Sequence, residues 1–523
     1  MQSPEGAWSY DSADRSQPPG VFDIDLSGAR DSATRTALDY SDPSGVWGAM
    51  SSRAAAIASR EPAMASTSPT RTTSLPDGTG SGSPSRSIVS TVAPVIPRRL
   101  SAASVRSAAG LPGGTCTDSG SPSPGSTART CSISRRRCSP SDAAICFDTE
   151  RLRYAAGWTN GFLDISRTHL NSSKGSDFAW VDGQMQFATP PSVGWRTSSS
   201  EAPRIQYHGF YRFGSNITFS YAVDGTEVRD HPSAHRNDAQ VQFERTLSID
   251  PHTNQFSMLV CALDSSHFKG GANRFDSDDG SICGFVQTVT RPTDLRFETG
   301  SSNTVLLTLP PASNRAVLRI TVAKGVLPPG PGSVPDLTDP ESLCRPGPAL
   351  WPQTLPATGR LGSSAEAYVV DTVASPELNP WHSWLRFTAF DFFSDGRAAI
   401  ATWSGDVWIV SGIDGSLKEL RWKRFAAGLF EALGLRIVHD TVYVTSRDRI
   451  VRLQDLNGDG EADFYESFNA DAPTGESYHA FAFDLQTDSM GNFYYIRCGQ
   501  RVDPDLPLQG GMLRVSPDGT KAE

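Results

Sequence analysis

Three short apolar runs, at residues 405–410, 448–453 and 511–515, recur towards the C-terminal end of this chain in one setting. Each follows another apolar run, at 398–403, 441–445 and 492–496, and each leads into an Asp-Gly turn. The turns are Asp414-Gly415, Asp459-Gly460 and Asp518-Gly519, and Asp406 and Arg449 stand 43 residues apart by number. That interval is the repeat of a four-stranded propeller blade, a unit that buries its apolar faces only by stacking on a neighbour. The repeat restricts residues 366–523 to a partial β-propeller of about three blades. A ring closes with about four to eight, so we read the segment as a fragment, the product of a shortened frame, or a partial propeller completed by another subunit.

The rest of the chain divides by composition. Residues 1–145 are dominated by Ser, Arg, Pro, Gly, Ala and Thr. Such a segment buries too little apolar surface to offset the entropy of ordering, and we read it as disordered; an overall hydrophobic content of 38% agrees. Aromatic residues and strand-like alternation begin at Cys146. The strongest hairpin signal is residues 217–223, Asp224-Gly225 and 226–228, because an Asp-Gly pair tolerates the positive φ of a two-residue turn. Further strands are expected at 241–249, 256–261, 305–309 and 316–322. Residues 146–325 thus read as a sandwich-like all-β domain, residues 326–365 as a Pro/Gly-rich linker, and the whole as all-β.

Several functions are disfavoured. A net charge of −10 with no basic face argues against nucleic acid. No apolar run is long enough for a membrane span, and the first residues lack the charged and apolar regions of a signal peptide. The eight cysteines include no C-x-x-C pair, so a zinc ribbon and a c-type haem attachment are absent. Cys261 and Cys283 flank a Gly/Asp-rich loop and read either as buried free thiols or as a pair formed in an oxidising compartment. The histidines show no metal-binding spacing, and no nucleophile elbow, phosphate loop or dinucleotide fingerprint occurs.

One stretch converges on a single chemistry. Asp455, Asn457, Asp459, Gly460 and Glu466 occupy every fixed position of a calcium-loop pattern, and Glu461 and Asp463 add two carboxylates within it. Helices flank such a loop in an EF-hand, whereas residues 440–453 alternate with the period of a strand. The two readings are a calcium site in a loop between strands, with Asp455, Asn457, Asp459, Glu461, Asp463 and Glu466 as ligands, and a plain Asx-rich turn. Five acidic residues and one Asn at coordinating spacing favour the ion.

The block formed by residues 146–150, 155–164, 174–175 and 186–190, followed by 384–393 and 455–466, resembles a planctomycete-type family of large exported proteins. In that family an uncharacterised β-rich domain precedes a propeller similar to glucose/sorbosone dehydrogenases, often with a c-type haem domain beyond. The resemblance covers residues 146–523 and implies a periplasmic location, pyrroloquinoline quinone as hydride acceptor, and a carbohydrate or small-molecule alcohol as substrate. It implies His479 as the base, on the similarity of residues 478–495 to the blade that carries it. Arg447 and Arg497, on neighbouring strand ends, read as binders of an anionic cofactor or substrate, or as solvated charges. The chain lacks the haem motif, so we expect part of a dehydrogenase-like protein that is inactive alone. The rival is a non-catalytic carbohydrate- or protein-binding module, to which Trp158, Trp180, Trp195, Tyr207 and Tyr211 would lend stacking surfaces if they were not core.

Overall fold

A computed structural model describes residues 133–523 apart from 139–140, 165–179, 199–201, 238–239, 264–267, 290–293, 302, 328–336, 363–368, 382, 384, 473–480 and 499–506. Residues 1–132, most of the segment expected to be disordered, lie outside the described residues. Among the described residues the structure is all-β, with a 3-10 turn at Pro340–Leu343 and no helix long and apolar enough to cross a membrane.

The first region contains β1 (Ile133–Cys138), β2 (Ser141–Asp148), β3 (Arg153–Asp164), β4 (Trp180–Ala188), β5 (Trp195–Thr197), β6 (Ile205–Phe213), β7 (Asn216–Val223) and β8 (Thr226–Asn237). It continues through β9 (Gln240–Ile249), β10 (Phe256–Ala262), β11 (Phe268–Gly270), β12 (Arg274–Ser277), β13 (Ile282–Thr288), β14 (Arg296–Thr299), β15 (Thr304–Leu309) and β16 (Ala316–Lys324). Strands β1 to β4 pair in sequence, and a second sheet runs β14-β15-β10-β5. Asp224 and Gly225 both adopt positive φ, 48° and 80°, and join β7 to β8 as the Asp-Gly signal requires.

Phe147 on β2 stacks on Phe219 of β7 at 4.0 Å, and Trp195 on β5 meets Tyr221 of β7 and Phe256 of β10 edge-on. Trp158 and Trp195 are buried core residues, not stacking platforms. A buried polar knot crosses the same core. Asp230 accepts from the hydroxyls of Tyr154 (2.9 Å) and Tyr221 (2.8 Å) and from Arg245 (2.8 Å). Burial first, and then Asp230, push both tyrosines well above their ordinary range. The adjoining cavity is about 30 Å³, room for about one water, so the knot is a satisfied structural network and not a ligand pocket. Cys261 and Cys283 are buried free thiols.

After β17 (Thr354–Ala357) come three antiparallel meanders. The first is β18 (Phe387–Phe392), β19 (Ala398–Thr402), β20 (Val407–Ser411) and β21 (Leu420–Ala426). The second is β22 (Gly434–Val438), β23 (Thr441–Thr445), β24 (Ile450–Gln454) and β25 (Phe464–Asn469). The third is β26 (Ala482–Thr487), β27 (Phe493–Arg497) and β28 (Met512–Val515), after which Arg514 and Glu523 exchange backbone hydrogen bonds. The sequence repeat therefore has one structural meaning, since all three Asp-Gly turns follow the third strand of a meander. Fully buried Ala399 and Ala401 allow close packing in the first, while Tyr443, Phe468 and Phe493 interlock the second with the third.

The two regions are not separate. β25 pairs with β6, so β22 to β25 continue the sheet of the first region into twelve strands. Phe210 stacks on Tyr465 at 4.5 Å and Tyr211 on Phe464 at 4.2 Å across this seam. Each such pair adds roughly 0.5–1.5 kcal/mol beyond its burial. Gly209 is required there, with φ 132° and a position where any Cβ would strike the Tyr465 carbonyl. β17, inside the expected linker, likewise covers the outer edge of β21. Both outer edges are thus paired rather than left open to association.

Candidate functional site

The residues just before the first strand and just after the second strand of each meander lie at the same end of the sheets. Arg386 precedes β18 and Trp403 follows β19; Glu431 precedes β22 and Arg447 follows β23; Phe481 precedes β26 and Arg497 ends β27. Tertiary packing joins these repeat-equivalent positions into one cluster. Arg447 donates to Glu431 Oε2 at 3.2 Å, and its guanidinium lies 5.5 Å from the Phe430 ring and 5.4 Å from the Phe481 ring. Phe481 meets Trp403 edge-on at 5.5 Å. Arg497 donates to the backbone carbonyl of Arg447, and Arg386 to Ser404 Oγ at 3.1 Å.

These groups are buried. Arg497 is 2% exposed and Arg447 7%, which decides against solvated surface charges. Burial pushes the Glu431 carboxyl up to about 7, against the pull of Arg447 and Arg386. Burial also lowers Arg497, and the nearby Arg447 adds to that effect. In the turns that follow β19 and β23, Asp406 is held by Arg424 at 2.6 Å and Asp448 by Arg449 at 2.8 Å. Guanidiniums from successive sheets gather at this end, and the guanidinium is the group whose N–H donors recognise carboxylate or phosphate. His479 lies outside the described residues, two positions before Phe481 in sequence.

The acidic loop lies elsewhere, between β24 and β25, and its six residues divide. Asp455 accepts from the backbone N–H groups of Gly458 (2.7 Å) and Gly460 (2.8 Å), Asn457 from that of Asp459 (3.0 Å), and Asp459 from that of Glu461 (2.9 Å). These three close an Asx-type turn. Asp463 Oδ2 accepts from Leu456 N at 2.9 Å and its Oδ1 from Gly347 N. Burial raises the Asp463 carboxyl, with Asp459 adding a smaller push.

Glu461 and Glu466 turn away from the others. Glu461 is fully buried, meeting Arg212 at 3.0 Å and accepting from the backbone N–H of Leu350 (2.8 Å) and Trp351 (2.7 Å). Trp351 lies between the guanidiniums of Arg212 and Arg424, at 5.1 and 4.8 Å. The expected linker is thereby clamped between the first region and the second meander. Glu466 forms a two-pronged pair with Arg452, at 2.6 and 2.7 Å. In this conformation no three His, Cys, Asp or Glu side chains among the described residues are grouped to hold a metal ion.

Sequence reading named Arg447 and Arg497 but missed Arg386 and Glu431. The available signal was the repeat register, which places all four beside the ends of equivalent strands. No curated protein matches the chain. Residues 145–230 match a family described as a domain of unknown function (DUF6797), a stretch that runs from β2 into β8 and holds the Asp230 knot's two tyrosines but none of the arginine cluster.

Proposed function

We propose that the chain is part of a sugar- or alcohol-dehydrogenase-like propeller protein, that its three meanders are successive blades, and that their shared end binds an anionic ligand. The convergence of Arg386, Arg447 and Arg497 beside Glu431 supports this reading. Pyrroloquinoline quinone, the cofactor implied by resemblance, carries carboxylates that fit such donors and would supply the hydride acceptor. The residues of this chain bind and orient it, with Phe430, Phe481 and Trp403 keeping water from the guanidiniums and strengthening their hydrogen bonds. Three blades supply part of a ring, so the reading assigns binding rather than turnover to the chain. On the same resemblance we place it in the periplasm.

Fluorescence titration of the full chain with pyrroloquinoline quinone tests this. Saturable binding is expected, weakened about tenfold or more by Arg447→Met or Arg497→Met, the scale of one lost charge-assisted hydrogen bond. Binding indifferent to both substitutions, or displaced only by neutral oligosaccharide, would favour the non-catalytic carbohydrate-binding module instead.

We further propose calcium at the acidic loop, on the calcium-loop spacing of its residues and the turn that Asp455, Asn457 and Asp459 share. In that reading the ion replaces the backbone N–H groups that now hold these oxygens. Calcium is expected to raise the thermal midpoint of the chain, and Asp459→Ala to abolish the rise; an equal rise in that variant rejects the site.

A further inference from the structure

Glu431 is a buried acid held in an unusual way. It is 1% exposed and adopts φ 50°, a left-handed conformation that non-glycine residues rarely take. Its Oε2 meets Arg447 at 3.2 Å, while its Oε1 is buried without a hydrogen-bond partner. Glu461, by contrast, has donors on both oxygens. A strained backbone that carries a half-satisfied carboxylate into an arginine cluster is an arrangement to expect where function, not stability, sets the position.

We propose that Glu431 is a resident counter-ion of Arg447, displaced when an oxyanion binds the cluster, and that it takes up one proton in the exchange. This rests on the anion-binding reading above and adds its regulation. Before binding, the Arg447 guanidinium donates to the Glu431 carboxylate. Afterwards it donates to an oxygen of the ligand, and a proton from solvent converts Glu431 to the neutral acid. For a monoanion the charge of the cluster is the same before and after, because ligand and proton enter together.

The charged groups facing Glu431 among the described residues are Arg447, from the end of β23, and Arg386, from the start of β18. Arg497 stands behind Arg447 through its carbonyl, and Asp448 is paired with Arg449. Burial outweighs both facing arginines and brings the carboxyl to about 7. Below that pH Glu431 already carries its proton and the ligand enters without exchange; above it, each ligand must bring a proton.

Calorimetric titration of the full chain with sulfate, which keeps its charge across the neutral range, tests the exchange. Affinity is expected to be flat below about pH 6 and to fall about tenfold per pH unit above about pH 8, the slope of one linked proton. In Glu431→Gln the affinity is expected to be independent of pH and, at about pH 8.5, at least tenfold tighter than in the native chain. Titrations in two buffers of different ionisation enthalpy give the proton count for the native chain directly, so the outcome does not depend on the variant folding. Uptake of one proton at alkaline pH supports the exchange. Sulfate binding with no proton uptake, or with the same pH slope in Glu431→Gln, overturns it and leaves the anion site standing. Absence of sulfate binding at every pH, in both proteins, overturns the exchange together with the anion-binding reading.

Discussion

Glu431 and Glu461 are both buried glutamates, and the surroundings of their oxygens set them apart. Glu461 has an arginine and two backbone N–H donors; Glu431 has one arginine contact and one empty oxygen. Removing the charge at Glu461 strands Arg212, and breaking a buried pair costs about 3–5 kcal/mol. At Glu431 the raised carboxyl reverses the sign. Its contribution to stability is complete below its ordinary value near 4.5 and is lost as pH rises through about 7. Urea denaturation is therefore expected to show Glu461→Gln destabilised at neutral pH. Glu431→Gln should match the native chain near pH 4.5 and exceed it by up to roughly 3 kcal/mol near pH 8. A Glu431→Gln protein less stable than the native chain at pH 8 would contradict this assignment. Neither environment was legible in the sequence. Loop spacing marks Glu461 as an oxygen donor, but Arg212, which claims it, lies 249 residues away.

Strands and turns were far more legible, because alternation and Asp-Gly pairs act over a few residues. The β7–β8 hairpin and the paired second and third strands of each meander fall where the residue pattern places them. What the pattern did not reveal is how one element meets the next. Gly434 begins β22 where the third meander passes so close that any Cβ would strike the Asp484 backbone. Gly434→Val is expected to lower the thermal midpoint by several degrees, as a loss of about 1–3 kcal/mol from overpacking would. It should also loosen the Tyr443–Phe493 contact, read as faster hydrogen exchange across β26 and β27. An unchanged midpoint and exchange pattern would show that the two meanders do not need this approach. Residues 326–365, expected as a linker, show the same limit of the residue pattern. Their Pro and Gly content signals irregular backbone, and irregular backbone can still be clamped, as residues 347–351 are by Glu461 and Asp463.

At the scale of the molecule, the boundary between the first region and the meanders dissolves into one twelve-stranded sheet. Arg449 strengthens the join by donating to Thr149 at 2.8 Å while lying 5.0 Å from the Tyr207 ring. The family match at residues 145–230 thus marks a part that is built directly onto the second meander. That attachment fixes the end of the sheets where Arg386, Arg447 and Arg497 gather, the end proposed to receive an anion. The most direct measurement is an anomalous-diffraction map from crystals of the full chain grown with selenate near pH 6, where Glu431 is expected to be protonated. A selenium peak is expected at the cluster, with selenate oxygens about 2.7–3.2 Å from nitrogens of Arg447 and of at least one of Arg386 and Arg497. Selenate ordered elsewhere on the molecule, with no peak at the cluster, would contradict the anion-binding proposal.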